Sequence, residues 1–247
     1  MTDSDPKPDE YARIHGSPGL GARSAGLNRL LLPLLLICFI AGYLVALIQP
    51  IPGLGRAIAG GLLLVVAIML VFLVKTGQGQ LAAYIKGARG EERTAAELAR
   101  LSGEYVVFHD LRVPESPGKV QDIDHVVVGA GKILVVESKC WSGQISLENG
   151  DIRVNGQIPS RSPIDQVKRS SAAIRRYLRH ETGLEMDIIP VLCFAGGTLA
   201  AADQGAGGVR ICGLEALRSV VVEKVEEPAD EADLKRVSTA LLEVCCS

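Results

Sequence analysis

The chain has 247 residues, 26 Lys and Arg against 28 Asp and Glu, a net charge of -2, 48% apolar residues and a mean hydropathy of +0.26. That balance excludes a disordered or collagen-like chain, and no global basic excess advertises nucleic-acid binding. The charge is nonetheless uneven: residues 86–180 carry 15 basic and 12 acidic side chains, whereas residues 181–247 carry 5 and 12.

Residues 1–28 hold Pro6, Pro8, Pro18 and four glycines without apolar periodicity, which predicts a disordered tail. Two uncharged apolar runs follow, Leu30–Ile48 with 19 residues and Ala57–Val74 with 18. A bilayer crossing takes about 20 residues, so the pattern predicts a two-helix transmembrane hairpin over residues 29–75. Pro50, Pro52, Gly53 and Gly55 in the short connection stop one helix and return the chain antiparallel. The first run starts too late, is too long and lacks a cleavage site, which argues against a signal peptide. Arg23 and Arg29 precede the first run and Lys75, Lys86, Arg89 and Arg93 follow the second, against Arg56 alone between them. The positive-inside rule therefore predicts both termini in the cytoplasm. Cys140, Cys193, Cys212, Cys245 and Cys246 would then face a reducing compartment as free thiols, and their spacing fits no zinc site. Ala57 and Gly61, four apart, permit two copies to pack as a homodimer in the membrane.

A soluble domain is expected over residues 80–247. After a break at Gly77-Gln78-Gly79, residues 80–100 read as helix, interrupted near Gly87 and Gly90. Strands are expected at residues 105–109, 119–129 and 132–139, and a weaker hairpin over 145–155 turns at Asn149-Gly150. Ser162 as N-cap, Pro163 at the first helical position and a stripe of Ile164, Val167, Ser171, Ile174 and Leu178 mark a helix. Strands at 188–194 and 209–212 and helices at 214–222 and 229–244 complete a layered α/β or α+β domain.

Chemistry concentrates around the second and third strands. If Ala130-Gly131 form a two-residue hairpin loop, Gly129 pairs with Lys132 and the register sets Asp124 opposite Glu137 and Asp122 opposite Lys139. Alternation puts all four charges on one face, beyond the apolar Val126, Val128, Ile133 and Val135. Directly opposed carboxylates repel unless a cation or a proton lies between them. Two readings follow: a Mg²⁺ or Mn²⁺ site served by Lys139, or an edge salt-bridge cluster in which Asp122 pairs with Lys139. His125 alternates to the opposite face as a packed or surface histidine rather than a ligand, and Trp141 is expected to cap the sheet end.

Asp124…Glu137-Ser138-Lys139 resembles the D…(D/E)-x-K motif of the PD-(D/E)XK nuclease superfamily. With Gly87-x-x-Gly90-Glu91, Ile123 to Val128, Glu137 to Gly143 and Pro163-x-x-Gln166, the string over residues 87–178 resembles the nuclease-related domain, or NERD, family. Ile123 stands where the superfamily's name has proline. The resemblance implies a restriction-endonuclease-like α/β/α core, with residues 87–180 as its motif-bearing part and an acidic portion over 181–247. It also implies Asp124, Glu137 and the Ser138 carbonyl as metal ligands and Lys139 as the water-activating or phosphate-stabilising lysine. Gln166 is implied as a residue orienting water or phosphate, and Glu91 as an acid completing the metal site.

The helix beginning after Ser162 offers Lys168, Arg169 and Arg176, with Arg175 and Arg179, as phosphate contacts. The expected function is a membrane-anchored, Mg²⁺- or Mn²⁺-dependent nuclease on the cytoplasmic side, with DNA before RNA as substrate. The alternative is a non-catalytic nucleic-acid-binding or scaffold protein at the membrane. A transport subunit is disfavoured because neither apolar run holds a charged residue.

Overall fold

The computed structural model describes residues 11–19, 31, 33–43, 45, 54–116, 118–200 and 204–245. The chain divides into two compact units, residues 21–86 and residues 1–20 with 87–247. In the first, residues 33–43 are helical and helix α1, Leu54–Leu98, begins. Of the predicted membrane hairpin, residues 29–30, 32, 44 and the connection at 46–53 lie outside the described residues. Taken over the described residues alone, no helix is long and apolar enough to cross a membrane. The backbone of the second apolar run is nevertheless helical throughout, and Leu64, Ile68 and Phe72 on it are exposed.

One correction concerns α1. The expected break at Gly77-Gln78-Gly79 and the interruption near Gly90 do not occur, because α1 runs through both. A glycine inside a helix costs only about 1 kcal/mol relative to alanine, too little to end a helix without a proline or a cap.

The second unit is built on a mixed sheet. Its strands are β1 (Arg13–His15), β2 (Tyr105–Ser116), β3 (Lys119–Gly129), β4 (Lys132–Glu148), β5 (Asp151–Val154), β6 (Ile188–Leu199), β7 (Gln204–Ala206) and β8 (Val209–Gly213). The order is β1-β2-β3-β4-β6-β8-β7, with β5 added to β4. β2-β3-β4 is an antiparallel meander, while β4, β6 and β8 run parallel. Three helices complete the unit: α2 (Pro163–Thr182), α3 (Leu217–Val222) and α4 (Glu231–Cys245).

Alternation along the strands divides the core in two. Val126, Val128, Ile133 and Val135 join Ile164, Val167, Ile174 and Leu178 of α2 and Leu234, Val237 and Leu241 of α4. On the other face Val127, Leu134 and Val136 pack with Leu98 of α1 and Leu217, Val220 and Val221 of α3. The result is an α/β/α sandwich, as the layered reading anticipates. α2 starts as predicted: Ser162 Oγ accepts the Asp165 N–H at 3.2 Å, with Pro163 at the first helical position. Its whole predicted stripe is buried.

A second correction concerns the tail. Residues 11–19 take part in the sheet through β1, which pairs parallel to β2, and Ala12 is buried. Composition marked this stretch as unstructured because its order depends on an edge strand more than ninety residues away. Residues 1–10 and 20–28 lie outside the described residues. The described cysteines Cys38, Cys140, Cys193, Cys212 and Cys245 are free thiols.

Candidate active site

The β3–β4 hairpin has the predicted register, Gly129↔Lys132 through His125↔Val136, around a tight turn in which Ala130 and Gly131 both have positive φ. The ladder stops one pair short of Asp124 and Glu137. Past that point β4 leaves β3 but stays on β6, which it has paired since Ile133↔Ile188, setting Glu137 beside Leu192 and Lys139 beside Phe194. The two carboxylates therefore flank the opening where two strands part, at the end of a buried sheet.

Asp124 Oδ2 accepts the Ser138 backbone N–H at 2.8 Å. Lys139 Nζ donates to Glu137 Oε1 at 2.6 Å, in surroundings where Glu137 is 2% and Lys139 18% exposed. Gln166 Nε2, from the first turn of α2, donates to the same oxygen. Five residues singled out in the sequence are thus joined by direct bonds, Asp124 with Ser138 and Glu137 with Lys139 and Gln166, and these bonds leave Asp124 Oδ1 and Glu137 Oε2 for other partners.

Glu91 arrives from α1. Its backbone neighbour Gly90 sits against β4: a Cβ there would stand 2.6 Å from Cys140 Cβ, so only glycine lets the helix approach this closely. Burial first, then the charge of Asp110, then that of Glu137, pushes the Glu91 carboxyl up to about 7, while the Gly19 backbone N–H and Lys139 pull the other way. Asp124 is held well above the usual carboxylate range, by burial first and then by Glu137 and Glu91. The mutual influence of Glu91, Asp124 and Glu137 describes one acidic cluster facing a single lysine. Among the described residues, no set of three or more His, Cys, Asp or Glu side chains is disposed to hold a metal ion as it stands.

Asp122 is a correction. It stands opposite Arg112 on β2, Oδ1 lying 3.7 Å from Arg112 Nε, and is exposed. Lys139 pairs with Glu137 instead, because β4 has already left β3 when it reaches Lys139.

Sequence reasoning missed two contributors. Asp110 falls at the register position facing Asp124, where the ladder skips one pair, and has φ +54. The predicted first strand ended at His109, which left Asp110 outside it; extending the strand by register would have found it. The second is a histidine pair beneath the site. His125 lies on the face opposite Asp124, as expected, and is fully buried. Its Nε2 is 3.0 Å from Ser138 Oγ and its Nδ1 is 2.8 Å from His109 Nδ1. The rings cross at 90°. Burial lowers the His109 pKa to about 4, and burial with the neighbouring His109 keeps His125 well below the usual histidine range. Ser138 thus carries Asp124 on its amide and His125 on its hydroxyl. No local signal in the sequence pairs histidines sixteen residues apart; that follows from the β2–β3 register.

Trp141 is half-buried against the core, its ring centroid 5.6 Å from that of Phe194, consistent with a packing role. Lys168, Arg169, Arg175, Arg176 and Arg179 form the exposed side of α2. They do not all converge on the carboxylates. Lys168 Nζ reaches the β7–β8 turn at Gly207, and Arg176 Nη2 lies 3.8 Å from Glu115. Arg175, Arg176, Arg179 and His180 line a surface hollow of about 370 Å³. A larger cavity of about 680 Å³, lined by residues such as Arg13, His15, Phe108, Glu231 and Lys235, shares none of the acidic cluster.

Residues 86–195 match the family model of the nuclease-related domain, which spans every member of this cluster except Gly19. No curated protein and no solved structure matches the chain.

Proposed function

We propose that this protein is a metal-dependent nuclease that hydrolyses phosphodiester bonds of DNA, with the domain held on the cytoplasmic face of a membrane by the N-terminal apolar runs. The observation that carries the reading is the meeting of Asp124, Glu137, Lys139 and Gln166 at the fork between β3 and β4, with Glu91 electrostatically coupled to them. Three clustered carboxylates against one lysine are an unstable charge arrangement without protons or a cation.

The donor set is all oxygen, which suits Mg²⁺ or Mn²⁺ rather than a thiophilic ion. Asp124 and Glu137 would hold it through the oxygens their present bonds leave over, with the Ser138 carbonyl as a third donor and Glu91 closing the acidic side. When bound, such an ion supplies a water of lowered pKa and neutralises charge building on phosphate oxygens. The chain's own residues do the rest. Ser138 fixes Asp124 through its amide, and Gln166 and Lys139 fix Glu137. The Lys139 ammonium, within reach of the same site, offers a positive charge to the phosphate oxygen on which negative charge develops. The exposed arginines of α2 supply grip on the nucleic-acid backbone at a distance from the reacting bond.

Membrane anchoring is supported by the uncharged Ala57–Val74 run, helical over its full length with exposed apolar side chains, and by the basic residues at its outer ends. DNA is the first substrate to test and RNA the second. Full-length protein in detergent is incubated with labelled single- and double-stranded DNA and with RNA, under Mg²⁺, Mn²⁺ or EDTA, beside Lys139→Ala. Metal-dependent cleavage absent in Lys139→Ala supports the nuclease. Salt-sensitive binding without turnover on any substrate would transfer the reading to a binding or scaffold role at the membrane. Flotation with liposomes that resists carbonate extraction tests the anchor.

A further inference from the structure

The segment ahead of the apolar runs reaches into the acidic cluster. β1 pairs with β2 over Arg13↔Val106, Ile14↔Val107 and His15↔Phe108, the Ala12 N–H donates to the Leu101 carbonyl at 2.9 Å, and the His15 ring stacks on Phe108 at 5.3 Å. The chain then turns sharply. A Cβ on Gly16, at φ +83, would stand 2.1 Å from the His109 carbonyl oxygen and 2.9 Å from Cys245 Sγ. Pro18-Gly19, with Gly19 at φ +77, has the residues of a type II turn. A Cβ on Gly19 would lie 3.1 Å from that of Ala88, one helical turn before Glu91. This approach delivers the Gly19 backbone N–H to the Glu91 carboxylate.

We propose that residues 11–19 are a positioning strap: β1 docks on the edge of the sheet, and the turn after it presents the Gly19 amide that orders Glu91 in the acidic cluster. The strap acts on the site through Glu91 and touches no substrate. A three-residue edge strand belongs to the weakly held end of a fold, so docking is a step the protein can gain or lose while its core stays intact. The catalytic consequence rests on the nuclease reading; the ordering of Glu91 does not.

The test uses the full chain without metal. Carboxylates are labelled with a carbodiimide and an amine and read by mass spectrometry in wild type, Gly16→Val, Gly19→Val and a chain lacking residues 1–19. A hydrogen bond to a charged group that is lost on release predicts about tenfold faster labelling of Glu91. Glu137, at 2% exposure, stays protected. A peptide with the sequence of residues 11–19, added in excess to the shortened chain, slows Glu91 labelling again. Unchanged Glu91 labelling in the shortened chain overturns the strap. Glu91 and Glu137 labelled together also overturn it, since the segment is then part of the folding core. Where cleavage is measurable, the strap variants lower kcat with KM for DNA unchanged and add nothing to the loss in Glu91→Gln. If the wild type cleaves nothing, the nuclease reading fails while the labelling still decides the strap.

Discussion

Ser138 donates its backbone N–H to Asp124 Oδ2 at 2.8 Å while its hydroxyl lies 3.0 Å from His125 Nε2, the side chain next in sequence to Asp124. One residue of β4 therefore clasps two adjacent residues of β3 on opposite faces of the sheet, at the point where the two strands separate. The clasp does what the missing ladder pair would otherwise do, and it ties the acidic cluster to the buried histidine pair.

Asp124→Asn keeps an acceptor for the Ser138 amide and removes one of the clustered charges. Without metal, the variant is expected to be more stable than wild type by about 1 kcal/mol, a common size for a single stabilising substitution, and so to unfold at a higher temperature. Addition of Mg²⁺ or Mn²⁺ should raise the melting temperature of the wild type and leave that of the variant unchanged, because a ligand stabilises only the state that binds it. Differential scanning fluorimetry with and without metal decides it.

Glu91 predicts a pH dependence of stability. Its carboxyl titrates at about 7 in the folded chain against 4.5 in the unfolded one. Between those values the folded state holds more protons, so stability contributed by the protonated group is present below 4.5 and is lost as pH rises toward 7. Denaturant unfolding of metal-free protein should show this fall, and Glu91→Gln should remove it.

The histidine pair predicts the opposite slope. His109 has a folded pKa of about 4 against 6.5 unfolded, so the unfolded state binds more protons between them. Stability from this group is complete above 6.5 and is lost as pH falls toward 4. His125→Ala leaves His109 Nδ1 and Ser138 Oγ without the partners they have here and should cost about 1–3 kcal/mol. The same variant should flatten the acid limb of the stability curve, measured by urea titration at several pH values.

Gly90→Ala places a methyl group against Cys140 and should destabilise the domain by about 1–3 kcal/mol through overpacking. Removing the opposing Cβ with Cys140→Gly in the same chain should recover part of that loss beyond additivity. Urea unfolding of the four chains measures the coupling.

Lys168→Ala, Arg169→Ala and Arg176→Ala should each weaken DNA binding without sequence preference and reduce the salt slope by about one unit per lost phosphate contact. Arg176 should matter least, since Glu115 stands 3.8 Å away and already shares its charge. Fluorescence anisotropy over a salt series checks the order.

Local chemistry wrote much of this protein into its sequence. The Ala130-Gly131 turn determined the β3–β4 register, that register brought Asp124 and Glu137 to one end of the sheet, and Ser162 and Pro163 started the helix that carries Gln166. These depend on contacts between residues close in the chain, where turn type and side-chain period leave few alternatives. Tertiary structure decided what lies between distant segments. The parting of β3 from β4 gave Lys139 to Glu137 and Asp122 to Arg112. The β2–β3 register brought Asp110 and His109 to the site, and the edge of β2 ordered residues 11–19 that composition alone marks as unstructured. The physical reason is common to all three: each side chain or strand is held by partners selected only after the sheet has closed, and a single sequence window contains neither the partner nor the geometry that excludes its rivals.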